Sequence, residues 1–182
     1  MWFLCLLMLL PGCGRSDPSM EQALSLRKQL LEGDGCSFQT VVTADYGQIL
    51  REFTMEIQAD SQGTVTFTVT KPEEISGITG TLSADRGKLT FGDQAVFFDL
   101  LADGQLSPVS APWVFLKALR NGNITSVCQE DQGIHWTLRE DFGEDAMVLD
   151  ILTDETNLPI NAQILYRDNR ILSLTIENFQ IL

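Results

Sequence analysis

In Cys36-Ser37-Phe38-Gln39-Thr40-Val41-Val42-Thr43-Ala44-Asp45-Tyr46 the apolar period drops from near four to two. Cys36, Phe38, Thr40, Val42, Ala44 and Tyr46 fall on one face, with Ser37, Gln39, Thr43 and Asp45 opposite. Such alternation predicts a strand with one side on a core and the other in water. After Gly47 the pattern restarts as Phe53, Met55, Ile57 and Ala59 against Glu52, Thr54, Glu56 and Gln58, and turns at Asp60-Ser61-Gln62-Gly63. Val65, Phe67 and Val69 follow among four threonines. Three strands joined by short turns make an antiparallel meander with one wet face.

Working outward, Ser19 or Asp17 can cap a helix from Met20 to Glu32, ended by Gly33 and Gly35. Its narrow apolar stripe of Ala23, Leu24, Leu30 and Leu31 suits a helix laid on a sheet. Downstream, Pro72 and two glycines between Lys71 and Gly80 predict an interruption of the sheet. Short strands are expected at Thr79 to Ala84, Lys88 to Phe91 and Ala95 to Leu101. The last of these, with Val96, Phe97, Phe98, Leu100 and Leu101, hardly alternates, so it calls for cover on both faces.

That cover is expected from the next element. Ser110 as cap and Pro112 in the first turn predict a helix over Trp113 to Arg120, stopped by Asn121-Gly122. Apolar nearly all round, with Lys117 and Arg120 as its wet edge, it must be enclosed, as a plug in the mouth of a curved sheet. Strand signals resume at Ile124 to Glu130, Ile134 to Glu140, Ala146 to Leu152, Ile160 to Arg167 and Ile171 to Gln180. The fold class is therefore α+β: a curved antiparallel sheet, an incomplete β-barrel of about eleven strands, with an N-terminal helix and a plug helix.

The amino-terminal end has another character. The apolar run from Trp2 to Leu10 falls far short of the roughly twenty residues a spanning helix needs, and suits the core of a secretory signal. Leu10, Gly12 and Cys13 resemble the lipobox of bacterial lipoproteins. The resemblance implies that a diacylglyceryl group is attached to Cys13 through a thioether and that cleavage before Cys13 makes it the first mature residue. At least two acyl chains would then anchor the protein, where one gives only marginal binding. No Lys or Arg precedes Arg15, so the charged start of the signal is expected upstream of Met1. The expected organisation is a signal peptide at residues 1–12, a lipidated tether at 13–19 and one domain at 20–182. Removing the signal leaves 170 of 182 residues, enough for a single domain burying roughly 70% of its unfolded surface. With 25 acidic against 12 basic residues and a net charge of -13, binding to nucleic acid or anionic headgroups is disfavoured. The lipid must do the holding.

The opening helix, the meander, the crossing Lys71-Pro72-Glu73-Glu74-Ile75-Ser76-Gly77, the helix at Pro112 to Arg120 and the closing strands together resemble the LolA/LolB-like lipoprotein carriers and acceptors. The order is closer still to lipoprotein relatives of spore formers, the GerS-type germination lipoproteins. The resemblance implies an incomplete barrel wrapped round a helical plug and an apolar cavity for acyl chains. Trp113, Phe115 and Leu116 of the plug, with Phe53, Met55 and Phe67 of the sheet, are the candidates to line it. Permanent anchoring speaks against a shuttling role. The expected function is that of a membrane-anchored, extracytoplasmic, non-enzymatic lipoprotein that binds an acyl or lipid ligand or presents a protein-docking surface. The alternative is a regulatory partner of a cell-wall hydrolase in the envelope or spore.

Few residues suit catalysis or metal binding. His135 is the only histidine, which leaves little for paired-histidine metal sites or the usual triad. A two-residue turn after Glu130 would set Cys128 directly across from His135, as a thiol and its base require, whereas a three-residue loop through Gly133 would break that pairing. Cys36 and Cys128, 92 residues apart, could form a disulfide, stay as two buried thiols or bridge two chains. Glu140, Asp141, Glu144 and Asp145 lack the alternating spacing of a calcium loop and read as a solvated turn. No cofactor or metal is expected.

Overall fold

The computed structural model describes residues 17–45, 50–84, 86–98, 101–102, 105–142, 145–167 and 169–182. The signal, Cys13 and the start of the tether lie outside them. Asp17 opens helix α1 (Pro18–Glu32): its carboxylate accepts a hydrogen bond from the Ser19 N–H at 3.0 Å, and Pro18 sits in the first turn, where no N–H is needed. The helix thus takes in two residues expected in the tether. Ala23, Leu26 and Leu30 form its buried stripe.

Thirteen strands follow among the described residues. In chain order these are β1 (Gly35–Asp45), β2 (Leu50–Asp60), β3 (Val65–Lys71), β4 (Thr79–Leu82), β5 (Gly87–Phe91), β6 (Gln94–Phe98), β7 (Leu101–Ala102), β8 (Gln105–Leu106), β9 (Asn123–Glu130), β10 (Gly133–Phe142), β11 (Asp145–Thr153), β12 (Pro159–Tyr166) and β13 (Asn169–Ile181). Helix α2 (Ala111–Asn121) lies between β8 and β9. Eleven strands make one antiparallel sheet in the order β6-β5-β4-β3-β2-β1-β13-β12-β11-β10-β9, and β7 with β8 forms a separate ribbon that the sequence pattern did not announce. Two meanders, β1 to β6 and β9 to β13, are joined where β13 pairs with β1. The sheet stays open, ending in β6 on one side and β9 on the other.

Alternation sets which face is covered. Phe38, Val42, Met55, Ile57, Val65, Phe67 and Leu82 of the first meander point to the same core as Ile134, Trp136, Leu138, Leu149, Ile151, Ile164 and Leu174 of the second. Gly80 on β4 is required by packing: a Cβ there would come within 2.4 Å of the Phe67 ring, which lies against the bare backbone.

Three expectations need correction. The crossing after Lys71 does not interrupt the sheet, because a 3₁₀ turn at Glu73–Ile75 returns the chain so that Val65 pairs with Leu82 and Thr68 with Thr79. Ser110 does not cap α2 through its side chain. It closes a 3₁₀ turn at Pro108–Ser110, and its hydroxyl is buried without a partner. The strand expected at Ala95 to Leu101 is described only to Phe98, and there Ala95, Val96 and Phe97 are exposed rather than covered. The tight Gly92-Asp93 turn puts β6 at the end of the sheet, while α2 packs mainly against β10, β12 and β13.

Candidate functional site

Helix α2 fills the mouth of the half-barrel. Ala111 to Leu116, Ala118 and Leu119 are all buried, as a helix apolar nearly all round demands. The Phe115 ring meets Phe38 edge-on with centroids 5.9 Å apart, and Phe38 stacks on Phe179 at 5.3 Å. The polar positions of α2 fasten it. Arg120 donates to the carbonyls of Asp60 and Ser61 in the β2–β3 turn, at 3.3 and 2.5 Å. Lys117 pairs with the buried carboxylate of Glu140 and lies 5.5 Å from the centre of the Trp113 ring. The expected wet edge is therefore a set of anchors, and Glu140 is not part of a solvated turn.

Arg27 of α1 also holds the C-terminal end of α2. Its guanidinium donates to the carbonyls of Leu119 at 2.7 Å and Gly122 at 2.8 Å, taking up acceptors that a helix C-terminus leaves open. Burial pushes its pKa below the ordinary value. Nothing in the spacing of the sequence marks this contact, which spans 92 residues.

The candidate cavity residues come together, but as packed core. Trp113, Phe115, Leu116, Met55 and Phe67 are buried, and Phe53 is half-buried near the start of β2. Beside α2 there is a cleft of about 200 Å³, whose walls include Trp113, Leu116, Gln62, Thr64, Arg120 and Asn121. Small-molecule pockets usually run from about 300 to 1,000 Å³ and are mainly apolar. This cleft is smaller.

Both described cysteines are free, which corrects the intramolecular disulfide among the expected alternatives. Cys36 is buried on β1 between Ala59 and Ile181, whereas Cys128 is exposed on the end strand β9, with four strands between them. Burial pushes the Cys36 thiol up to about 12, against a smaller downward pull from the charge of Arg120. Around Cys128 the shorter of the two turn alternatives is the one found. Asp131-Gln132 is a two-residue loop, so Glu130 pairs with Gly133 and Cys128 with His135. Gly133 is needed here, since its φ is +148° and a Cβ would run into the Thr153 carbonyl. The Cys128 Sγ lies 4.0 Å from His135 Nδ1, while Glu130 Oε1 is 3.3 Å from Nδ1 and Asp150 Oδ1 is 3.6 Å from Nε2.

The opposite end of the sheet carries bare apolar surface. Phe91, Val96 and Phe97 on β5 and β6 are each at least 60% exposed. The Arg86 guanidinium sits 5.8 Å from the centre of the Phe97 ring. Among the described residues, no helix is long and apolar enough to cross a membrane.

No family model matches the sequence, and no curated protein matches it significantly. Solved structures do. An outer membrane lipoprotein-sorting protein domain from Vibrio parahaemolyticus superposes with a TM-score of 0.53 at 10% identity, over 88% of this chain and 91% of that one. A DUF1329 family protein from Desulfovibrio piger superposes at 0.51 and 9% identity, over 91% and 94%. The structure of the CwlD amidase from Clostridioides difficile in complex with the GerS lipoprotein matches more loosely, at 0.44 and 13% identity over 92% and 98%. The open antiparallel sheet with its leading helix and plug helix, superposing over nine-tenths of the chain on a lipoprotein-sorting domain, has the LolA-like half-barrel fold.

Proposed function

We propose that the chain is a non-enzymatic lipoprotein, exported, acylated on Cys13 and held at the outer surface of the cell membrane, whose half-barrel serves as a docking scaffold for an envelope protein. The carrying observation is that α2 closes the mouth of the sheet with its apolar side chains packed into the core, while bare apolar surface is left at the far end of the sheet. The described cleft beside it, of about 200 Å³, is smaller than the usual small-molecule pocket. Apolar surface remains instead at β5 and β6, on an end strand of the kind that accepts a further strand from a partner. A cell-wall hydrolase regulated by such docking is one form of this reading, and the net charge of -13 favours a partner with a basic surface over an anionic membrane or nucleic acid.

Two measurements test it. Metabolic labelling with palmitate should mark the wild-type chain and leave Cys13→Ser unmarked, with only the former recovered in the membrane fraction. Titration of the purified protein with a fluorescent acyl probe should show no saturable binding. Saturable one-to-one binding, displaced by palmitate, would replace the docking scaffold with a lipid receptor.

A further inference from the structure

On the outer face of the β9–β10–β11 corner, away from the plugged mouth, four polar side chains converge. Two-residue hairpin geometry places Cys128 opposite His135, and the period of two brings Glu130 onto the same face. The Cys128 Sγ, the His135 Nδ1 and a Glu130 carboxylate oxygen all lie within 4.8 Å of one another. Behind the ring, Asp150 Oδ1 stands 3.6 Å from Nε2, and Asp150 is itself fixed by the Thr137 hydroxyl, which donates to it at 2.9 Å.

The geometry points to a zinc site with Cys128 Sγ, His135 Nδ1 and Glu130 Oε1 as protein ligands and a fourth position open to water or a partner's donor. A tetrahedral zinc ion with bonds of roughly 2.3 Å to sulfur and 2.0–2.1 Å to nitrogen and oxygen spaces S from N by about 3.6 Å and N from O by about 3.3 Å. The structure has 4.0 and 3.3 Å, with sulfur and carboxylate oxygen within 4.8 Å of each other, so rotation of the exposed Cys128 and Glu130 side chains draws the three donors to bonding distance of one ion. Thiolate, imidazole and carboxylate together suit zinc better than calcium or magnesium, which take oxygen ligands. Asp150 stands where a metal-bound histidine sends its second N–H, which fixes Nδ1 as the ligating nitrogen. On binding, the Cys128 thiol gives its proton to solvent and the sulfur lone pair goes to the metal.

The same Cys128, His135 and Asp150 could be read as a thiol nucleophile, base and orienting carboxylate. They stand on the solvent side of the sheet, with Cys128 exposed and His135 a third exposed, so no wall excludes water from a reaction there. Metal binding needs no such wall.

The test uses the full chain with Cys5→Ser and Cys13→Ser, so that the amino-terminal thiols do not compete. Titration with Co²⁺ should give an intense thiolate-to-metal charge-transfer band saturating at one equivalent and abolished by added Zn²⁺. Cys128→Ser should remove the band, and Asp150→Asn should weaken Zn²⁺ binding about 10- to 100-fold. Zn²⁺ should also slow alkylation of Cys128 by iodoacetamide. Cys128 is exposed and Asp150 partly so, and unchanged far-ultraviolet circular dichroism shows that both variants fold. Absence of a saturable band, or a band that survives Cys128→Ser in folded protein, overturns the site.

Discussion

At the scale of single residues, burial of one thiol and hydrogen bonding of one carboxylate set the response to pH. Cys36 keeps its proton up to about 12 in the folded chain, while the unfolded chain releases it near the ordinary 9.0. Between those values the native state binds more protons than the unfolded one, so its stability falls as pH rises. Urea midpoints measured from pH 8 to 12 should therefore decline, and Cys36→Ala should flatten that decline. Asp154 behaves in the opposite sense. Burial pushes its pKa up, but the Leu158 N–H and the N–H and O–H of Thr156 together hold it below the usual carboxylate value. Its contribution is complete above the usual value and is lost as pH falls through the lowered one. Asp154→Asn should lower the midpoint at neutral pH and make the acid limb shallower. Neither environment was legible in the sequence. Cys36 sat on an apolar face, but its depth depends on β13 arriving from the far end of the chain, and Asp154 read only as the start of a turn.

At the scale of elements, α2 was the most readable part of the chain and its fastenings the least. Six apolar residues in eight positions dictated burial whatever the neighbours, and the helix is buried as expected. Its contacts with Arg27 and with the Asp60-Ser61 turn depend on the two meanders closing round it, and no local period records that. Arg27→Met should destabilise the fold by about 1.5–3 kcal/mol, since it leaves the Leu119 and Gly122 carbonyls without their charged donor. Phe115→Ala should cost about 3–5 kcal/mol by opening a void beside Phe38. Thermal or urea unfolding with circular dichroism measures both. The strand at β6 was misread for a physical reason: an apolar run without alternation is compatible with a strand covered on both faces and with an exposed end strand that a partner covers, and sequence period alone cannot separate the two. The loop after Glu130 was likewise undecided until the Glu130–Gly133 pair fixed it at two residues.

At the scale of the whole molecule, the sheet is open, its mouth is stoppered from within by α2, and its free end at β5 and β6 carries the exposed apolar surface proposed for docking. The two halves share the work: the α2 side keeps the core closed, and the β5–β6 end stays available. Phe97→Glu should change stability by no more than about 0.5 kcal/mol, because the side chain is 60% exposed, yet it should abolish docking. The most direct test places a photo-crosslinking amino acid at position 97 or at position 113 of the lipoprotein in its native membrane. The account predicts a discrete protein adduct from position 97, lost when Phe91→Glu is added, and no lipid adduct from position 113. Acyl adducts at position 113 with none to protein at position 97 would contradict it.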